Sequence, residues 1–182
     1  GYSGNVTVEA GAVLESPANA DNVGGRIALV GPNVTNAGTI ITPNGQTILA
    51  AGQQVGFYPH SSADATLRGL DVYVGAGGGT ATNVGNIIAP EADVTMVGAA
   101  VNQLGAIQST TSVSLNGRID LDANWGTEVV QIPGVGTELE ITHAGAVTFG
   151  NGSITDILPE LDSSATSTSA DAPPNQALAL NS

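Results

Sequence analysis

The sequence predicts an all-β fold of the parallel β-helix (solenoid) class. Three observations lead there: a self-similar repeat, short alternating segments set between turn residues, and apolar content that is almost wholly aliphatic. The repeat carries most weight. Asn36-Ala37-Gly38-Thr39-Ile40-Ile41-Thr42-Pro43 returns as Asn83-Val84-Gly85-Asn86-Ile87-Ile88-Ala89-Pro90, and the offset holds through Leu49 and Met96 and through Ala51 and Gly98. Shorter echoes are Asn102-Gln103-Leu104-Gly105-Ala106-Ile107 and Asn116-Gly117-Arg118-Ile119. They recur about every 20 residues, or at multiples lengthened by insertions, which is the span of one solenoid turn.

The elements follow in chain order. Val6–Val8, Arg26–Leu29, Asp71–Val74, Ser112–Leu115, Arg118–Leu121, Glu138–Ile141 and Ala146–Phe149 are short segments bounded by Gly, Asn or Pro, the signature of strands between turns. No useful stretch carries the 3.6-residue stripe of an amphipathic helix. Strands stacked in register about 4.8 Å apart would set Ile40, Ile87, Ile107 and Ile119 in one interior column. The Asn ahead of each glycine would bond its counterpart one turn away, as stacked amides do. Glycine would supply a positive φ at the corner. The length leaves room for roughly seven turns.

Residues 1–158 form this repetitive body, with loops inserted at 57–69 (Phe57 to Gly69) and at 75–82 (Gly75 to Thr82). Over 159–182 the composition shifts to Ser, Thr, Ala and Pro, a loop or linker, and Ala177 to Leu180 begins a further turn. A strand-like segment starts almost at once and no signal peptide precedes it, so the chain reads as a piece of something longer.

Composition narrows the function classes. There is no Lys; Arg26, Arg68 and Arg118 face 16 carboxylates, for a net charge of −13. Nucleic-acid binding needs clustered Lys and Arg, so a nucleic-acid partner is not expected. Anionic membrane surfaces are disfavoured alike, and no apolar run reaches the roughly 20 residues that would span a bilayer. With no cysteine, neither disulfides nor thiol chemistry enter. Aromatic residues are 3% of the chain, too few for a thick layered core but suited to a narrow aliphatic one.

The run Gly24 to Ile40 (GGRIALVGPNVTNAGTI), then Pro43 to Gly52 (PNGQTILAAG), resembles the filamentous haemagglutinin-type exoproteins of two-partner secretion. Ala100 to Gln103, Thr110 to Gly117 and Leu158 to Asp162 are similar to that family too. The resemblance implies a right-handed parallel β-helix, exported through an outer-membrane partner pore and displayed at the bacterial surface as an adhesive shaft, in some relatives as a toxin-delivery stick. Its partners would be that pore and a glycan or protein on a host or neighbouring cell. The family's Asn-Pro-Asn secretion motif is approached only by Thr42-Pro43-Asn44-Gly45, inside a repeat, so no secretion residue is carried over.

Candidate chemistry is sparse. Arg118, Asp120 and Asp122 alternate on one strand face and would stand outside, with Ile119 and Leu121 inside. Paired carboxylates on such faces can cleave polysaccharides by acid–base chemistry or around Ca²⁺, which makes a lyase or hydrolase the alternative reading. No pair of long insertions brackets these aspartates, and a solvated Arg–Asp pair is the simpler account. Glu138 with Glu140, and Glu91 with Asp93, are further outward pairs whose hard oxygens would suit a weak Ca²⁺ site, although no calcium-binding nonapeptide occurs. His60 and His143 lack zinc spacing, Ser61 and Ser62 lack a nucleophile elbow, and Gly75 to Gly79 lacks the Lys of a phosphate loop. Asn5, Asn33 and Asn151 lie in Asn-x-Ser/Thr triplets. Trp125 reads as a cap over a corner. No catalytic, cofactor-binding or metal residue is assigned, and the chain is expected to be non-enzymatic.

Overall fold

The computed structural model describes residues 4–59, 68–112, 115–134 and 136–160. Among them the chain forms strands and turns and no helix. The first three strands are β1 (Val6–Val8), β2 (Val13–Glu15) and β3 (Arg26–Gly31), and the next three are β4 (Val34–Asn36), β5 (Thr39–Ile41) and β6 (Gln46–Ala51). A hairpin of β7 (Val55–Pro59) and β8 (Leu70–Val74) intervenes. Then come β9 (Thr80–Asn83), β10 (Asn86–Ala89), β11 (Asp93–Val97), β12 (Ala100–Gln103), β13 (Ala106–Thr111) and β14 (Arg118–Asp122). A second excursion holds β15 (Asn124–Trp125), β16 (Glu128–Ile132), β17 (Gly136–Glu140) and β18 (His143–Ala144), before β19 (Ala146–Phe149) and β20 (Ile154–Pro159).

Three sheets result. Sheet A has the order β1-β4-β9-β12-β19, sheet B β2-β5-β10-β13-β20 and sheet C β14-β11-β6-β3. Every pairing within them is parallel. The chain visits A, B and C in that fixed order, and each visit to all three is one round. Parallel neighbours one round apart bring identical sequence positions together, which is why the repeat was visible at all.

The core is a set of aliphatic columns drawn from all three sheets. In sheet B, Leu14, Ile40, Ile87 and Ile107 are register partners. In sheet C, Leu29, Leu49, Met96 and Leu121 form one column, and Ile27, Thr47, Val94 and Ile119 the other. Ile119 therefore belongs to sheet C and not to the Ile40 column, because the chain between Thr111 and Arg118 has already turned the corner. Ile40, Leu49, Ile87, Met96 and Ile107 are wholly buried in one cluster. Each such side chain contributes about 1.5–3 kcal/mol.

Beside the Ile column runs a ladder of buried amides. Asn36 donates through Nδ2 to Asn83 Oδ1 at 2.8 Å, and Asn83 Nδ2 donates to Gln103 Oε1 at 2.9 Å. The third rung is Gln103 and not Asn102, whose side chain sits on the other face and bonds Thr82. Gln103 then donates to Ile154 O at 2.8 Å, carrying the ladder one round further. Asn116 takes no part; its Oδ1 accepts from Thr111. All three rungs are fully buried, so each amide must be satisfied within the protein.

The glycines after these rungs are there for closeness. Gly38, Gly85 and Gly105 have no positive φ, contrary to expectation. A Cβ on Gly85 would fall on Gly38 O, and one on Gly105 on Gly85 O, so only hydrogen fits between successive corners. Left-handed geometry appears at the next corner instead, at Asn44 (φ 55°) and Glu91 (φ 50°). Asn44 Nδ2 also bonds Glu91 Oε2 at 2.9 Å.

Strands enter the ends of both expected loops. Residues 57–59 end β7 and 70–74 form β8; 60–67 lie outside the described residues. Residues 80–82 of the second expected loop are strand β9 in sheet A. Ser112 and Leu115 are not strand, Ser112 N donates to Leu115 O, and 113–114 lie outside the described residues. The β7–β8 hairpin lies on the outer face of sheet C, where Ile48, Ala50, Val74 and Val97 make a second core with Val55, Val72 and Trp125. Strands β6 and β11 are thus buried on both faces. Among the described residues, sheets A and B hold five strands each, against the roughly seven turns expected of the whole chain. The segment 161–182, including Ala177 to Leu180, lies outside the described residues.

Two outcomes follow. Asn83→Ala, which orphans amide groups on Asn36 and Gln103, should lower unfolding stability by about 3 kcal/mol in urea denaturation. Thr35 and Thr82 are register partners, and adjacent strands sit at about 4.8 Å, within disulfide range. The doubly substituted Thr35→Cys, Thr82→Cys chain should oxidise to an intramolecular disulfide. Thr35→Cys with Asn102→Cys, two rounds apart, should not, as read by mass spectrometry.

Candidate functional site

The hairpin that covers sheet C leaves a groove along its β8 edge. Leu70, Asp71 and Val72 form one side, Arg118, Ile119, Asp120, Leu121 and Asp122 the other, and Thr95 lies between; the volume is about 550 Å³. The aspartate pair that the alternation placed outside is therefore beside a cleft after all. The missing wall was hidden in the sequence because it comes from residues some 50 positions upstream. Arg118 Nε stands 2.7 Å from Asp120 Oδ2, with the two side chains 22% and 42% exposed. The Nε–H does not point along that line, so this is an ion contact more than a hydrogen bond. Asp122 Oδ1 accepts from Asn124 N at 2.9 Å.

The chemical capacity of the groove is polar recognition. Asp71, Asp120 and Asp122 offer acceptors, Thr95 a hydroxyl, and Arg118 the single cation among the lining residues. Among the described residues no cluster of His, Asp and Glu is placed to hold a metal.

The outer face of the hairpin adds aromatic surface. Pairing sets Gly56 opposite Tyr73 and Tyr58 opposite Asp71, so these residues share the face away from sheet C. Tyr58 and Tyr73 stack with centroids 5.1 Å apart at 19°. Gly56 is required there, since a Cβ would run into the Tyr73 ring. A hydrogen bond to Tyr58, then burial, then the charge of Tyr58 raise the Tyr73 phenol above its ordinary value. Phe57 is 40% exposed. Half of the chain's six aromatic residues thus sit on this one element, a concentration that arises only when 57–58 and 73 are paired across the hairpin.

The hairpin is held down by Arg68. Its Nη2 donates to Glu91 O at 2.7 Å and Asn116 O at 2.8 Å, and Nη1 reaches Asn44 O at 3.4 Å. One guanidinium therefore bridges the corners that precede β6, β11 and β14.

The remaining candidates disperse. Glu91 and Asp93 are no outward pair: Glu91 bonds Asn44 and Asp93 is buried. Glu138 and Glu140 lie on the β16–β17 hairpin, Glu140 opposite Glu128. His143 is in β18, stacked on Trp125 with centroids 4.1 Å apart. Thr142 donates to Gly126 O and so accepts from His143 Nδ1. Trp125 packs over Gly78 and the second core. Asn5 and Asn33 bond one another at 3.0 Å on the outside of sheet A. His60, Ser61 and Ser62 lie outside the described residues.

Because the Arg118–Asp120 contact is half exposed, Asp120→Asn should change stability by less than about 1 kcal/mol. Chemical denaturation of the variant beside Arg118→Gln and the double variant would measure that coupling.

Comparison with protein-family models, with curated proteins and with solved structures returns no match.

Proposed function

We propose that the chain is a segment of right-handed parallel β-helix, a solenoid, serving as a structural and adhesive shaft of a large secreted bacterial exoprotein of the filamentous haemagglutinin type. The observation that carries this reading is the fixed A, B, C order of three parallel sheets, each round in register with the last. A chain built this way lengthens by adding rounds, each burying the face that its neighbour exposes. Rigidity and reach are then the product of the fold, and binding falls to what projects from it. In this reading the protein is exported through an outer-membrane pore and works at the cell surface.

The contact surface is the β7–β8 hairpin with its groove. Stacked tyrosines offer flat apolar faces, and the carboxylates beside them accept from hydroxyl groups, a combination suited to a neutral glycan. The groove also favours a second reading, in which Asp120 and Asp122 act as acid and base of a polysaccharide lyase or hydrolase. A glycan array followed by a reducing-end assay separates the two. Binding without turnover, weakened at least tenfold by Tyr58→Ala, is the outcome expected. Turnover abolished by Asp120→Ala would establish the enzyme, and array binding indifferent to Tyr58 would remove the hairpin as the contact surface.

A further inference from the structure

The second excursion carries a hairpin that the rest of the fold leaves uncovered. Among the described residues β16 and β17 pair with each other and with no third strand. Every residue of β17 is exposed, as are Glu128, Val129 and Gln131 of β16. A lone two-stranded hairpin is marginal in water unless something packs on it or extends it. The uncovered surface is also partly apolar. Val129 and Leu139 are partners on one face, both exposed, and Ile141 is exposed just beyond.

The opposite face is charged. Glu128 stands opposite Glu140, and Val130 opposite Glu138, so three carboxylates share one side with Val130 and Ile132. Like charges directly opposite on paired strands weaken the pairing. None of these glutamates has a hydrogen bond or an ion pair among the described residues. Nor are they grouped so as to hold a metal ion. Val130, Ile132, Glu138, Leu139 and Glu140 line a groove of about 230 Å³.

The order Glu138-Leu139-Glu140 states what would fit. Along β17 the two carboxylates point to one face and the leucine to the other. The edge away from β16 offers N–H and C=O groups that no described strand pairs with, the template for strand addition. A strand added there sets its side chains beside those of β17 in the same alternation. Its complement is a cation beside each glutamate and an aliphatic residue beside the leucine.

These 182 residues do not supply that complement. They contain no Lys and three Arg. Arg118 contacts Asp120, Arg68 binds carbonyl oxygens, and Arg26 binds Gln46. A second copy using the same edge would set glutamate beside glutamate.

We propose that β17 is a docking edge for an extended segment of another protein, one that alternates Lys or Arg with aliphatic residues and joins the hairpin as its third strand. This edge is on a different element from the proposed glycan contact surface and does not depend on the shaft reading.

The ¹⁵N-labelled 182-residue chain is titrated with a short capped peptide alternating lysine and valine, read residue by residue in the amide correlation spectrum. Signals from 128–140 should shift and saturate, and amides of β17 should gain protection from hydrogen exchange. A peptide alternating glutamate and valine should not bind. One alternating lysine and serine should bind about tenfold more weakly, since it covers no leucine. The lysine–valine peptide methylated on every backbone nitrogen should not bind, because it cannot donate to an edge. Glu138→Gln with Glu140→Gln should weaken binding about tenfold while the β16–β17 pairing, relieved of like charge, persists. Absence of saturation would overturn the proposal. Undiminished binding by the lysine–serine peptide, the methylated peptide or the double variant would also overturn it, as diffuse attraction to a chain of net charge −13. A dimer of the unliganded chain in sedimentation, dispersed by Leu139→Arg, would assign the edge to a second copy instead.

Discussion

Successive rounds can lie at strand spacing only if everything between them is either apolar or internally bonded. The buried amides at Asn36, Asn83 and Gln103 are where that constraint is sharpest. An amide has both donor and acceptor, so a column of them satisfies itself by translation, each rung giving to the next and receiving from the last. The same spacing explains the glycines that follow, whose missing Cβ lets one corner rest on the carbonyl of another. The fixed repeat distance also makes the aliphatic columns continuous, because a rung out of step would put Ile beside Thr or Ser throughout sheet B.

The hairpin changes the character of one sheet. The inner strands of sheets A and B alternate between buried and more exposed residues, as strands with one wet face do. In β6 and β11 every residue is buried, because Val55, Val72 and Val74 cover the outside. A groove at the hairpin's edge is the geometric remainder of that covering, since two strands cannot shield a face four strands wide. The proposed contact surface lies on and beside the hairpin for this reason.

The sequence was informative wherever neighbours are one repeat apart. Asn36 with Asn83 is separated by 47 residues and Asn83 with Gln103 by 20, and the Ile40, Ile87 and Ile107 column was legible from spacing alone. It failed where the structure depends on contacts that no repeat encodes. The fold of 55–74 back onto sheet C is antiparallel and local, yet its apolar face reads like any short strand. Residue type points to Asn102 as the third rung, whereas the register, which follows position, puts Gln103 beside Asn83. The groove joins Asp71 to Asp120, a juxtaposition that leaves no trace in spacing because it is made when an insertion closes over the sheet.

Both excursions leave and rejoin the chain at one place, the passage from sheet C to sheet A. Elsewhere that passage is short: Pro32 and Asn33 make it once, Gly98 and Ala99 make it again. Because Ala51 and Thr80 bracket the first excursion as tightly as Val97 and Ala100 bracket the two-residue link, the ladders continue across either without adjustment. Lengthening such a link costs only the entropy of closing a larger loop, about 0.6 kcal/mol per doubling. That corner is thus a port through which new sequence can enter while the architecture behind it keeps its step, and novelty in a protein of this kind should accumulate along a single seam.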